Sequence, residues 1–209
     1  MKITKYVHSC LLVETPDRVA LFDPGMMSEP ALDAAQLDRL DEIFITHGHG
    51  DHCYPPLIKQ LIAKFPIVHI TAPNDVVELL NKEGIKATPT PPTGVTLFDS
   101  PHEAVEPLFP TPEELGYHYL ETLSHPGDSH SFHETKAILA LPVQAPWGST
   151  VDAVNLALEL KPTHVLPIHD WHWRDEAREQ LYQGLERAFA EQGIIFHKLQ
   201  TGVPVDIDT

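Results

Sequence analysis

The stretch Glu42-Ile43-Phe44-Ile45-Thr46-His47-Gly48-His49-Gly50-Asp51-His52 decides how this chain reads. Its first five residues are an apolar, β-branched and aromatic run of strand character. Its last six hold three imidazoles and a carboxylate, borderline nitrogen and hard oxygen donors suited to zinc and related divalent ions. Gly48 and Gly50 let the backbone turn sharply enough to aim neighbouring side chains at two points instead of one. A helix is expected from Pro55 or Pro56, so the donors occupy a strand-to-helix loop, where so dense a cluster implies a metal site.

Outward from this loop, apolar runs rich in β-branched residues predict strands near 2–7, 10–15, 18–23, 67–71, 94–98, 117–123, 135–141, 163–168 and 194–199. Helical spacing links Leu57, Leu61 and Phe65; Val76, Leu79 and Leu80; Val151, Val154 and Leu158; and Ala177, Leu181, Leu185 and Phe189. Gly84 and Gly193 have the positions of helix C-terminal caps. Consecutive strands come first and strands alternate with helices afterwards, so the class is α/β with mixed sheets. Residues 88–112 carry seven prolines, among them Pro101, Pro107 and Pro110. They read as a stiff, irregular segment suited to lining a site. No internal repeat is visible, and residues 1–209 read as a single domain.

Composition narrows the partners. A formal net charge of −16 without a Lys/Arg cluster disfavours nucleic acid and anionic membrane surfaces, leaving a small molecule as the expected ligand. No run approaches 18 apolar residues, and Met1–Val7 lacks the apolar core of a secretory signal. The expected localisation is cytoplasmic, with Cys10 and Cys53 as free thiols and Cys10 in the core. The sequence carries no signal for an oligomeric state. The unusual count is histidine, at 14.

His47-x-His49-x-Asp51-His52 resembles the signature of the metallo-β-lactamase superfamily, and the resemblance extends over nearly the whole chain. Val7-His8-Ser9-Cys10-Leu11-Leu12-Val13-Glu14 and Leu21-Phe22-Asp23-Pro24-Gly25 are similar to its opening hairpin. Ser100-Pro101-His102, Gly127-Asp128-Ser129 and Leu166-Pro167-Ile168-His169 follow in the order of its remaining metal motifs. Gly116-Tyr117-His118-Tyr119 is similar to the branch containing ascorbate-6-phosphate lactonase. The fold implied is a four-layer αβ/βα sandwich, two mixed β-sheets flanked by helices.

The resemblance implies two metal ions, zinc first with manganese or iron as alternatives. His47, His49 and His102 would bind one, Asp51, His52 and His169 the other, and Asp128 would bridge them. Asp51 and Asp128 are also the expected catalytic carboxylates. The implied reaction is attack of a hydroxide bridging the two ions on a small ester, lactone or phosphoester. A non-catalytic sensor or partner module that binds metal or ligand is the rival on the same fold. His118 and His125 compete with His102 for its role. Asp23 is expected to orient a ligand imidazole, although an Asp-Pro-Gly turn alone explains the same residues. His8, His130 and Trp171 are expected at the site mouth or substrate pocket; His133, His172 and Trp173 share those loops and read equally as surface residues.

Overall fold

In the computed structural model, which describes residues 1–208, the chain opens with an antiparallel meander of β1 (Lys2–Lys5), β2 (Leu11–Glu14) and β3 (Val19–Phe22). Parallel strands β4 (Glu42–Phe44) and β5 (His69–Thr71) follow, joined through α1 (Pro55–Lys64) and succeeded by α2 (Asn74–Lys82). The plan then recurs. A second meander, β6 (Val95–Phe98), β7 (Gly116–Tyr119) and β8 (Leu123–His125), leads into parallel β9 (Ile138–Pro142), β10 (His164–Ile168) and β11 (Ile195–Phe196). Helices α3 (Thr150–Leu160) and α4 (Asp175–Ala190) make the last two crossovers, and β12 (Pro204–Asp206) returns to pair with β1. The result is two mixed six-stranded sheets, ordered β12-β1-β2-β3-β4-β5 and β11-β10-β9-β8-β7-β6. Each belongs to its own compact unit, the first formed by residues 1–93, 112–115 and 200–208, the second by 94–111 and 116–199.

Each unit is a sheet with two helices, and strand alternation assigns its core. In the first, Leu12, Leu21 and Ile43 pack with Leu57, Ile58 and Leu61 of α1 and Val76 and Leu80 of α2. The intervening Val13, Ala20, Phe22 and Phe44 are also buried, on the opposite face. In the second, Leu139, Leu141 and Val165 pack with Ala153 and Ala157 of α3 and Tyr182, Leu185 and Phe189 of α4. The expected caps Gly84 and Gly193 have φ of 75° and 74°, the left-handed conformation that ends helices. Cys10 and Cys53 are buried free thiols, which burial raises to about 12. Among the described residues no helix is long and apolar enough to cross a membrane.

Strand direction places the site. Strands β1 and β3 run the same way and β4 is parallel to β3, so the loops after these three strands leave one edge of the first sheet. In the second sheet the loops after β6, β8, β9 and β10 share an edge for the same reason. Carboxyl ends of parallel strands are where open α/β sheets bind ligands.

Two expectations need correction, and one strand was not expected. The strand expected over 117–123 is two strands, because the chain reverses at Leu120 and Glu121, with φ of 51° and 53°. Neither residue favours that region, so propensity does not signal the turn. Helix α3 buries Ala153 and Ala157 and leaves Val151 67% exposed. Small side chains let this helix lie close on the sheet, which rotates the expected face. Strand β12 has no apolar pattern of its own and forms by pairing with β1.

The turn yields a stability prediction. Left-handed Leu and Glu cost roughly 1–2 kcal/mol each, whereas Asn and Gly are the residues preferred there. After the loss of the exposed Lys136–Glu121 ion pair, Leu120→Asn/Glu121→Gly is expected to gain about 1 kcal/mol. For a chain of this size that raises Tm by about 2–4 °C in a thermal melt.

Candidate metal centre

The first unit's donors are aimed by one buried carboxylate. Asp23, just after β3, accepts hydrogen bonds from Thr46 N at 2.8 Å, Thr46 Oγ1 at 2.9 Å and His52 Nδ1 at 2.8 Å. Thr46 has spent its hydroxyl proton on Asp23, so at 3.1 Å its oxygen accepts from Nδ1 of His47. Both imidazoles therefore carry a proton on Nδ1 and a lone pair on Nε2, the tautomer a metal ligand needs. Glu114, in the Pro-rich segment, lies 3.7 Å from His47 Nδ1, both side chains fully buried. Nε2 of His47 comes within 3.1 Å of Nδ1 of His49. Nε2 of His8, in the loop after β1, lies 3.2 Å from both His52 Nε2 and Asp51 Oδ2.

The Asp23-Pro24-Gly25 turn has a second duty. A Cβ on Gly25 would lie 1.6 Å from the carbonyl oxygen of Asp51. Only glycine lets this turn press against the backbone of the donor loop, which it also holds through Met26 N to Gly50 O at 2.8 Å and Tyr54 N to Pro24 O at 3.1 Å.

The second unit repeats the principle. His169, after β10, donates from Nδ1 to the Gln144 carbonyl at 2.7 Å and turns Nε2 toward Asp128 Oδ2 at 3.0 Å. His102, after β6, donates from Nδ1 to the Glu103 carbonyl at 2.6 Å, with Nε2 3.9 Å from the same Asp128 oxygen. Glu103 pins the two loops together. Its amide donates to the Asp128 carbonyl at 3.0 Å, and its Oε1 accepts from His130 N at 3.0 Å and Ser131 Oγ at 2.6 Å.

His118 and His125 sit differently. His118 bonds through Nδ1 to Ser124 Oγ at 2.8 Å and stacks on Phe98 at 4.2 Å; burial and then the Lys136 ammonium push its imidazole below the usual range. His125 accepts the Gly127 amide on Nδ1 at 3.4 Å. His130 donates through Nε2 to the Pro142 carbonyl at 2.8 Å, a link from its loop to the end of β9. Trp171 is 44% exposed and touches His172, while His133 lies in the open. Trp147 also stands among the histidines, with ring centroids 5.6 Å from His169, 6.4 Å from His102 and 5.0 Å from His130. Sequence reading missed Trp147, Glu103, Glu114 and the relay through Thr46. For Trp147 a signal existed: Pro146-Trp147-Gly148 is a turn signature between a strand and the Ser149…Asp152 capping box.

The donor set fits divalent ions on geometry. A tetrahedral ion with bonds of 2.0–2.1 Å puts two ligand atoms about 3.3 Å apart. The pairs His47–His49 at 3.1 Å and His169–Asp128 at 3.0 Å have that spacing, and His8, which the sequence reading left outside the ligand set, stands at a similar 3.2 Å from both His52 and Asp51. In the first unit His8, Asp51 and His52 each offer a ligand atom within 4.8 Å of the others. Three of the residues involved, His8, Asp23 and His169, hold φ of 62°, 46° and 60°, a conformation that costs a non-glycine residue of order 1–3 kcal/mol and gathers at functional sites.

Comparison with known proteins agrees with this picture. The profile of the Beta-lactamase superfamily domain matches residues 2–169. Protein Rv0786c of Mycobacterium tuberculosis is 29% identical over 194 residues, covering 87% of this chain and 90% of its own. The metal-dependent hydrolase YtkL of Bacillus subtilis is 29% identical over 196 residues, covering 81% and 85%. Among solved structures, the metallo-β-lactamase fold protein YhfI of Bacillus subtilis superposes with a TM-score of 0.68 at 18% identity, over 98% of both chains.

Asp23 supplies the test of this geometry. In Asp23→Asn one acceptor oxygen becomes an NH2 group, which meets the Nδ1–H of His52 or the protons of Thr46 instead of accepting from them. His52 is then expected to shift its proton to Nε2 and lose its ligand lone pair. Zinc affinity measured by competition with a chromogenic chelator should fall about 10–100-fold.

Proposed function

The chain belongs to the β-lactamase superfamily and has the metallo-β-lactamase fold, and on that premise we propose that it is a dinuclear metal-dependent hydrolase of small-molecule esters, lactones or phosphoesters. In this reading His47, His49 and His102 would hold one ion and Asp51, His52 and His169 the second, with Asp128 as the ligand that would be shared between them. One observation carries it: His47, His52, His102 and His169 all donate Nδ1–H to a fixed oxygen, so that all four present Nε2 as a lone pair. A loop of surface histidines has no reason to share one tautomer. The name of YtkL, a metal-dependent hydrolase, supports the same class.

Two divalent ions, zinc first and manganese or iron as alternatives, would supply Lewis-acid polarisation of a carbonyl or phosphoryl oxygen and a hydroxide nucleophile near pH 7. The chain's own work is positional. Asp23 and the carbonyls of Glu103 and Gln144 fix the ligand tautomers, and Glu114 closes the buried side of His47. Asp51 and Asp128 bring negative charge to offset the cations, and Asp51 is the more accessible, with 27% of its side chain exposed. Cys53, the thiol nearest in sequence to the donors, is buried, and burial raises its pKa, which argues against a thiolate nucleophile. The overall charge of −16 favours neutral substrates over polyanions. Buried free thiols fit a reducing compartment, so the place of action in this reading is the cytoplasm.

Elemental analysis of protein purified without chelator should give close to two ions per chain. Asp128→Asn should keep the native circular dichroism spectrum, bind fewer ions and lose most hydrolysis across an ester, lactone and phosphodiester panel. Retention of both ions at unchanged affinity would refute the bridge. Two ions with no turnover anywhere on the panel would favour the metal-binding sensor module over an enzyme.

A second measurement settles the third ligand of the first ion. His102→Ala is expected to lower metal content, whereas His118→Ala and His125→Ala, which lose bonds to Ser124 and Gly127, should stay loaded and lose thermal stability instead. Full occupancy in His102→Ala would exclude it.

A further inference from the structure

Within the second unit, the loop after His102 and the turn after β9 enclose a hollow of about 180 Å³. Val105, Leu108, Phe109, Pro146 and Trp147 supply apolar walls, and Glu106 lies on the lining as its charged member. Leu108 and Phe109 are 69% and 60% exposed. Single exposed apolar residues are ordinary, but these adjoin a half-buried indole in a concave surface.

The walls are fixed at their roots. Trp147 occupies a turn closed by Ala145 N to Gly148 O at 2.9 Å and Gly148 N to Ala145 O at 3.3 Å. A Cβ on Gly148 would lie 2.8 Å from the His130 ring, so the turn sits directly against that imidazole. On its far side Ser149 opens α3 with a capping box to Asp152. The opposite wall begins at Glu103, bonded to the Asp128 loop, and curls through Leu108 N to Val105 O at 3.0 Å. Trp147 therefore has two faces of use: it belongs to the hollow and stands 5.6 Å from the ring of His169 and 6.4 Å from that of His102.

We infer that this hollow is a substrate subsite that receives an uncharged apolar group, a phenyl ring or a chain of about six carbons, carried next to the bond that is cleaved. The inference rests on the hydrolase reading above and adds the substrate's side group to it. Size fits: an apolar cavity of about 150 Å³ accepts benzene in another protein. Charge narrows the occupant further: Glu106 and the acidic chain repel a carboxylate or phosphate, and the apolar walls of Val105, Leu108, Phe109, Pro146 and Trp147 favour an uncharged group over a cation, which would lose its hydration there.

The test has a binding arm and a kinetic arm. With indole-¹⁵N-labelled protein, ethylbenzene is titrated into metal-free and zinc-loaded samples. The Trp147 Nε1–H resonance, assigned with Trp147→Phe, is expected to shift saturably while those of Trp171 and Trp173 stay in place. The double variant Leu108→Ser/Phe109→Ser, altered at exposed positions, should keep the native melt and bind ethylbenzene at least fivefold more weakly. In the kinetic arm, the ratio of kcat/KM for the phenyl-bearing over the methyl-bearing member of whichever substrate class is turned over should fall at least fivefold in that variant. An unmoved Trp147 resonance, unchanged ethylbenzene affinity in the double variant, or an unchanged ratio would overturn the subsite. Failure of every substrate would sink the hydrolase reading instead, and the ethylbenzene titration would still decide whether the hollow binds an apolar group.

Discussion

A fully buried carboxylate, Asp23, accepts hydrogen bonds from the Thr46 amide, the Thr46 hydroxyl and the His52 ring. A charge out of water is tolerable only where such bonds satisfy it, and here each bond also does geometric work. The amide bond ties the end of β4 to the end of β3. The hydroxyl bond leaves the Thr46 oxygen an acceptor toward the His47 ring, and the ring bond assigns the proton of His52. The direction of the donor loop follows from this one group, and a glycine two residues later lets the same turn press on the loop's backbone.

The second unit reaches the same end by different means. Backbone carbonyls of Gln144 and Glu103 take the place of the carboxylate, and the Glu103 side chain holds the His102 and Asp128 loops in register. Carbonyl acceptors are insensitive to side-chain chemistry, so this arrangement depends on where β9 and β6 end rather than on any residue a motif would show. That the two units share a meander-then-parallel strand plan explains why donors follow strands of one direction in each sheet.

Several positions carry local strain in return. His8, Asp23 and His169 adopt left-handed backbone conformations that a tertiary framework must impose. Leu108 and Phe109, 69% and 60% exposed beside Trp147, add apolar surface of the kind that gathers at binding sites.

The α/β class, the four helices and most strand positions were legible in the sequence, because apolar period and caps such as Gly84 and Gly193 are local properties. So was the donor loop as a candidate metal site, since three histidines and an aspartate within six residues are dense enough to read alone, whereas His102, Asp128 and His169 entered as candidates only through family order. What the tertiary structure decided was every second partner. The hairpin at Leu120 and Glu121, the Ala153 and Ala157 face of α3, and β12 each form because of a neighbour distant in the chain. The same holds for the proton positions that Asp23 and Gln144 set on His52 and His169. A residue's type is written in the chain, but the bonds that assign His52 and His169 their tautomers are made with Asp23 and Gln144, tens of positions away, and only folding brings those partners within 3 Å.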